Sequence, residues 1–259
     1  MNQFFSFDRF SLLVSKHWAD NKKRYLLSVL AFAGLLITWF AFTLIIDDDA
    51  DRMSLDVQLS TYFFSLFIAG TLYASQYYSE LASKPKGSNF LLVPASTFEK
   101  FLCSLLYTVI LFFLVLTAVF YIINFSMVTI TNSIYANDAT FKKAPVANIF
   151  DVTFFEFDNN YALNFLLFFF AIQSIFLLGS VYFRKYSYIK TIISGVVAWF
   201  VIAGLTFFIY KELYPKSKFG DDEPAFPSWL TMLISISLMY VVAPLFWTFT
   251  YFRLKAKQL

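Results

Sequence analysis

Six stretches of this chain, 25–46, 59–79, 101–125, 162–183, 191–210 and 229–252, contain no Asp, Glu, Lys, Arg or His. Each is strongly apolar and 20 to 25 residues long. A helix rises about 1.5 Å per residue, so about 20 apolar residues cross a hydrocarbon core about 30 Å thick. A charge at the centre of such a helix costs about 2.5–3.5 kcal/mol on insertion. The pattern predicts an all-α polytopic membrane protein with six transmembrane helices. A soluble fold would have to hide 36 phenylalanines in 259 residues, of which 59% are hydrophobic. Soluble domains sit near ~45–50% apolar and lack the interior volume for that load.

Charge sets the expected orientation. With the N-terminus inside, the inner segments 1–24, 80–100, 184–190 and 253–259 hold 14 Lys/Arg and 4 Asp/Glu. The outer segments 47–58, 126–161 and 211–228 hold 6 and 13. Basic residues in short loops stay on the cytoplasmic side, so both termini are expected there. The net charge of +3 hides this asymmetry and gives no reason to expect nucleic-acid binding. The first 20 residues carry charge throughout and no small-residue cleavage site, so the first span is expected to act as its own insertion signal.

Three parts are expected: 1–24 as an interfacial elbow helix with a basic flank, 25–252 as the six-span domain, and 253–259 as a cytoplasmic tail. In the first part Phe7, Phe10, Val14 and Trp18 fall on one helical face. Lys22, Lys23 and Arg24 follow, where they can meet anionic headgroups of the bilayer.

The inner loop 80–100 carries the most information. Pro85 and Gly87 break the helix leaving the second span. Phe90, Leu91, Leu92 and Val93 then form an apolar run on a cytoplasmic loop, which is costly unless something covers it. Ser96 and Glu99 stand three apart before the next apolar stretch, the spacing of a capping box. The third helix is therefore expected to begin ahead of its membrane portion.

Outside, Asp47, Asp48, Asp49 and Asp51 cluster after the first span but lack an EF-hand's glycine and terminal glutamate. They read as a solvated flank. Within the spans, Gly70 and Ala74 form a small-xxx-small pair, and Gly34, Gly179, Gly195 and Gly204 are points of close approach. Gln76, Asn124, Asn164 and Gln173 read as interhelical hydrogen bonders, and Pro244 as a kink.

Several chemistries are excluded. No G-x-x-x-x-G-K-[ST] occurs, Cys103 is the only cysteine, and His17 is the only histidine. Phosphate-loop nucleotide binding, multi-cysteine metal sites and histidine-based triads therefore have no residues to build them. No ionisable side chain lies inside a span to relay protons. No catalytic residue, cofactor or metal site is expected in this chain.

The architecture, with the stretch Phe90-Leu-Leu-Val-Pro-Ala-Ser-Thr-Phe-Glu-Lys100, resembles the membrane subunits of type 2 ATP-binding-cassette (ABC) exporters. In that family the segment between the second and third spans carries a coupling helix seated in a groove of the ATPase. Glu80 resembles the acidic residue that precedes it. The resemblance implies docking of a separate ABC ATPase subunit through Glu80, Lys84, Lys86, Asn89, Phe90, Leu91 and Leu92. It implies ATP and Mg in that partner, a second membrane subunit (identical or related) and a place in the plasma (inner) membrane. It also implies export of an amphiphilic or hydrophobic substrate. The competing expectation is a membrane scaffold or assembly protein that anchors a cytoplasmic complex through the same loops. An integral membrane enzyme acting on lipids ranks below both, since no catalytic constellation is visible.

Overall fold

The structure is a computed structural model, and it describes residues 4–46, 53–82, 87, 89–90, 92–137, 142–149, 161–183, 185–213 and 240–257. Among them every regular element is helical. The principal helices are α1 (Phe7–Ile46), α2 (Leu55–Tyr77), α3 (Thr97–Ile134), α4 (Tyr161–Tyr182), α5 (Ser187–Leu213) and α6 (Val242–Ala256). A short 3-10 turn, Ser79–Ala82, follows α2. Five of these helices, α1 to α5, are long and apolar enough to cross a membrane. They make the chain a multi-pass membrane protein. Part of the expected sixth span, 229–239, lies outside the described residues, and α6 occupies its remainder.

Two features stand out. The N-terminal amphipathic segment runs straight on into the first span: α1 continues for 40 residues without interruption. α3 is α-helical over Thr97–Leu105, widens to a π-helix over Leu106–Leu111, and resumes as α-helix over Phe112–Ile134. A π-turn takes one residue too many for α geometry and re-aims the side chains that follow it.

The chain divides into two compact units. The first comprises Met1–Gly70 with Pro94–Leu166, the second Thr71–Val93 with Leu167–Leu259. In the first, α1 packs along α3, and the core is built from Leu36 and Phe40 of α1, Tyr62 and Leu66 of α2, and Leu116 and Phe120 of α3. Phe120 is the hub. Its ring lies 5.0 Å from that of Tyr62, edge to face, and 6.3 Å from that of Phe40. Such ring pairs add about 0.5–1.5 kcal/mol beyond the area they bury. The hydroxyl of Tyr62 shares a 2.9 Å hydrogen bond with that of Thr117, and the indole N–H of Trp39 donates to Thr61 Oγ1 at 3.0 Å. These satisfy polar groups that hydrocarbon cannot.

In the second unit α4 and α5 approach closely at Gly179, with Thr191 opposite. The last turns of α6 cover the end of α4: Lys257 Nζ donates to the carbonyl of Val181, and the Arg253 guanidinium lies 4.5 Å from the centre of the Tyr182 ring. A cation there complements the negative end of the α4 dipole.

Impermeant thiol labelling checks the orientation. With Cys103 changed to serine, Asp56→Cys, at the exposed start of α2, is expected to react from outside intact cells. Tyr186→Cys, in the exposed turn between α4 and α5, is expected to stay protected. The opposite labelling pattern would invert the topology.

Candidate functional site

The start of α3 is built as the Ser96/Glu99 spacing requires. Ser96 is the N-cap in extended backbone conformation, and its Oγ accepts the Glu99 N–H at 3.1 Å. The Glu99 carboxylate returns to accept the Ser96 N–H at 2.8 Å, which completes the capping box.

The same carboxylate also holds the N-terminal segment. Its second oxygen, Oε1, accepts the Ser6 N–H at 2.8 Å and the Arg9 guanidinium through Nη2 at 2.9 Å and Nε at 3.2 Å. Ser96 Oγ meanwhile donates to the Phe4 carbonyl at 2.8 Å. Phe4 stacks on Phe98 with ring centroids 4.6 Å apart, and Phe5 meets the same ring edge-on at 6.3 Å. The Glu99 side chain is 0% exposed. Burial raises its pKa, but the N–H groups of Ser96 and Ser6 and the Arg9 guanidinium outweigh that and hold it below the ordinary 4.5. Glu99 sits in the first turn, ahead of the apolar run 101–125. Four donors around one buried carboxylate form a latch between the N-terminus and the segment that leads into α3.

A second contact lies one helical step further. The Tyr107 hydroxyl, in the π-turn of α3, donates to the Val14 carbonyl at 3.0 Å. The His17 ring lies 4.5 Å from that of Tyr107, and its Nε2 shares a 2.6 Å hydrogen bond with Tyr25 Oη. The four residues expected on one lipid-facing side of 1–24 therefore occupy different surroundings. Phe7 is 73% exposed and Trp18 is exposed, whereas Phe10, beside the Phe5 ring, and Val14, whose carbonyl accepts from Tyr107, are half-buried. Lys22, Lys23 and Arg24 are exposed.

Of the residues expected to dock an ATPase, Asn89, Phe90 and Leu92 have described side chains; those of Glu80, Lys84, Lys86 and Leu91 lie outside the described set. The Phe90 ring stands edge-on to that of Tyr78, with centroids 6.0 Å apart, and is half-buried. Leu92 is 79% exposed and Asn89 is exposed. Among the described residues of this loop, Leu92 is thus the exposed large apolar side chain. The Asp47–Asp51 cluster lies outside the described residues, and among those described no group of three potential metal ligands occurs.

Sequence reasoning missed Arg9, which reads as a solvated charge on an amphipathic helix, and Lys100, which reads as a topology charge. Lys100 is buried beside Glu99. Burial, and then the charge of Lys16, lower its pKa. Comparison with family models, with curated proteins and with solved structures returns no match.

Proposed function

We propose that this chain is the permease subunit of an ABC exporter in the plasma membrane, powered by a separate ATPase. The observation that carries the reading is the outward apolar residue of the inner loop, Leu92, placed just before a helix start that is fastened to the N-terminus through Glu99. A flexible loop would absorb a push from a partner. A loop whose far end is held by a buried, multiply bonded carboxylate passes the push to α1 and α3. ATP-driven closure of two ATPase domains would then move the helices as rigid bodies, with a second membrane subunit completing the path. On this reading nucleotide hydrolysis belongs to the partner, in keeping with a sequence that carries no phosphate-binding loop.

Affinity purification of the full chain from membranes tests the reading. A stoichiometric ATPase bearing a phosphate-binding loop is expected to accompany it. Leu92→Ala is expected to weaken that association by about 2 kcal/mol, as truncation of an interface anchor does. It should leave insertion intact, because Leu92 makes little contact with its own chain. Phe90→Ala/Leu91→Ala is expected to lose the ATPase and its stimulated hydrolysis. Full retention of the ATPase by both inserted variants would refute docking through this loop, and purification of an unrelated cytoplasmic complex would favour the scaffold reading.

A further inference from the structure

Residues 142–148, in neither helix nor strand, and the turn residue Ile149 lie against α2 and α3 in the first unit, and side chains of those helices hold them by the main chain. Asn132 brackets Ala144: its Nδ2 donates to the Ala144 carbonyl at 3.0 Å and its Oδ1 accepts the Ala144 N–H at 2.9 Å. Gln58 spans the next two contacts, donating to the Pro145 carbonyl and accepting the Ala147 N–H, both at 2.9 Å. The Tyr121 hydroxyl accepts the Ile149 N–H at 3.0 Å. All five bonds reach backbone atoms of the strap. The strap side chains turned inward are Ala144, Ala147 and Ile149, while Pro145, Val146 and Asn148 are exposed.

Paired amide side chains that meet peptide N–H and C=O groups read an extended backbone whatever its sequence, and pockets at fixed intervals set which side chains fit. Gln58 is fully buried, and its remaining capacity is used by the Met53 carbonyl at 2.7 Å and by Asn124 Nδ2 at 2.7 Å. Asn124 is itself 0% exposed, and its Oδ1 has no hydrogen-bond partner among the described residues. An unmet buried acceptor of this kind costs about 1–3 kcal/mol. Asn124 adjoins the strap's holder directly, since its Nδ2 donates to Gln58.

We infer that the groove bounded by Gln58, Tyr121, Asn124 and Asn132 is a binding site for extended peptide, and that the strap is its tethered occupant. The class of ligand is an unfolded peptide segment. It carries small residues at two positions three apart and a branched aliphatic two positions further, as Ala144, Ala147 and Ile149 do. The word cargo for such a peptide rests on the exporter reading; the binding itself does not, and ATPase co-purification is blind to it.

The test uses the purified full chain in detergent and a fluorescein-labelled synthetic peptide of residues 142–149, followed by anisotropy. Ala147→Arg puts a bulky charge where the strap has a buried methyl, which expels the strap and leaves the groove intact. A tethered segment competes at millimolar effective concentration, so its release is expected to tighten peptide binding by about 100-fold. Adding Gln58→Leu should abolish the gain, and a peptide carrying arginine at the Ala147 position should not bind. Amide exchange should show the Ala147 and Ile149 N–H groups exposed in the variant and α2 and α3 still protected. If Ala147→Arg fails to fold, Ala144→Arg replaces it. On the wild-type protein, about millimolar peptide is expected to speed exchange at Ala147 and Ile149. Release of the strap with no tighter binding, or binding that survives Gln58→Leu, would reduce the strap to a structural staple.

Discussion

Glu99→Ala is expected to free the N-terminal segment from α3 and to lower stability by about 2–3 kcal/mol. The substitution removes one carboxylate but strands several partners: the N–H groups of Ser6 and Ser96 and the guanidinium of Arg9. Arg9 is partly exposed and can turn to water, which keeps the loss at the lower end of the range for a broken buried pair. Thermal unfolding in detergent measures the loss. Trypsin gives the local readout, because cleavage after Arg9 should become fast once the latch opens. Glu99→Gln should fall between, since glutamine also completes a capping box but cannot pair with Arg9. Acid should reproduce part of the effect. A carboxyl whose folded pKa lies below its ordinary 4.5 contributes stability that is present above 4.5 and lost as the pH falls through the lowered value. Glu99→Gln should flatten that dependence. An Arg9 site that stays resistant in Glu99→Ala would show that the stacked Phe4 and Phe98 hold the segment without the carboxylate.

Gly179→Ala is expected to force α4 and α5 apart. An added Cβ would stand 1.9 Å from Thr191 Oγ1 and 3.0 Å from its Cβ and Cγ2. Threonine is stiff at χ1, and this hydroxyl is engaged, donating to the Ser187 carbonyl at 2.8 Å. Overpacking of this kind costs about 1–3 kcal/mol. Thr191→Ala should restore part of the loss, because it removes Oγ1 and Cγ2 and leaves only Cβ in the way. The two changes should therefore be non-additive in a double-mutant cycle. Additive effects would mean that the contact between Gly179 and Thr191 does not limit the approach. Gly34, Gly195 and Gly204, also read as close-approach points, have open space around them in the described structure, so alanine there should be tolerated.

These glycines illustrate what the sequence makes legible. Uncharged runs announce membrane helices because every interruption by charge is costly, and among the described residues five of the six runs coincide with helices long and apolar enough to cross a membrane. The capping box is legible because it is local: Ser96 and Glu99 are three residues apart and need no other chain segment. The Arg9 partnership spans 90 residues, and no local pattern encodes it. Which glycine is crowded depends likewise on what lies across from it. Asn124 was readable as an interhelical hydrogen bonder, and it does donate from α3 to Gln58 on α2. Its role beside the strap was not, because the strap's inward residues are two alanines and an isoleucine with no chemistry of their own. The amphipathic face of 1–24 shows a related limit of periodicity: it tells which residues share a side, not whether lipid or protein covers it, and Phe10 and Val14 are half-buried where Phe7 and Trp18 are exposed.

The unbroken length of α1 has a mechanical consequence. Forty residues make a rod about 60 Å long, roughly twice the hydrocarbon thickness. A jointed elbow would let its first turns swing while the span stayed still. A stiff rod cannot do that: tilting it by about 10° about its middle carries each end through about 5 Å, in opposite directions. Arg9 and Ser6 sit at one end of that rod and Ile46 at the other. Leverage of this kind converts a displacement of a few ångströms at Glu99 into a comparable one on the far side of the bilayer, with no intermediary.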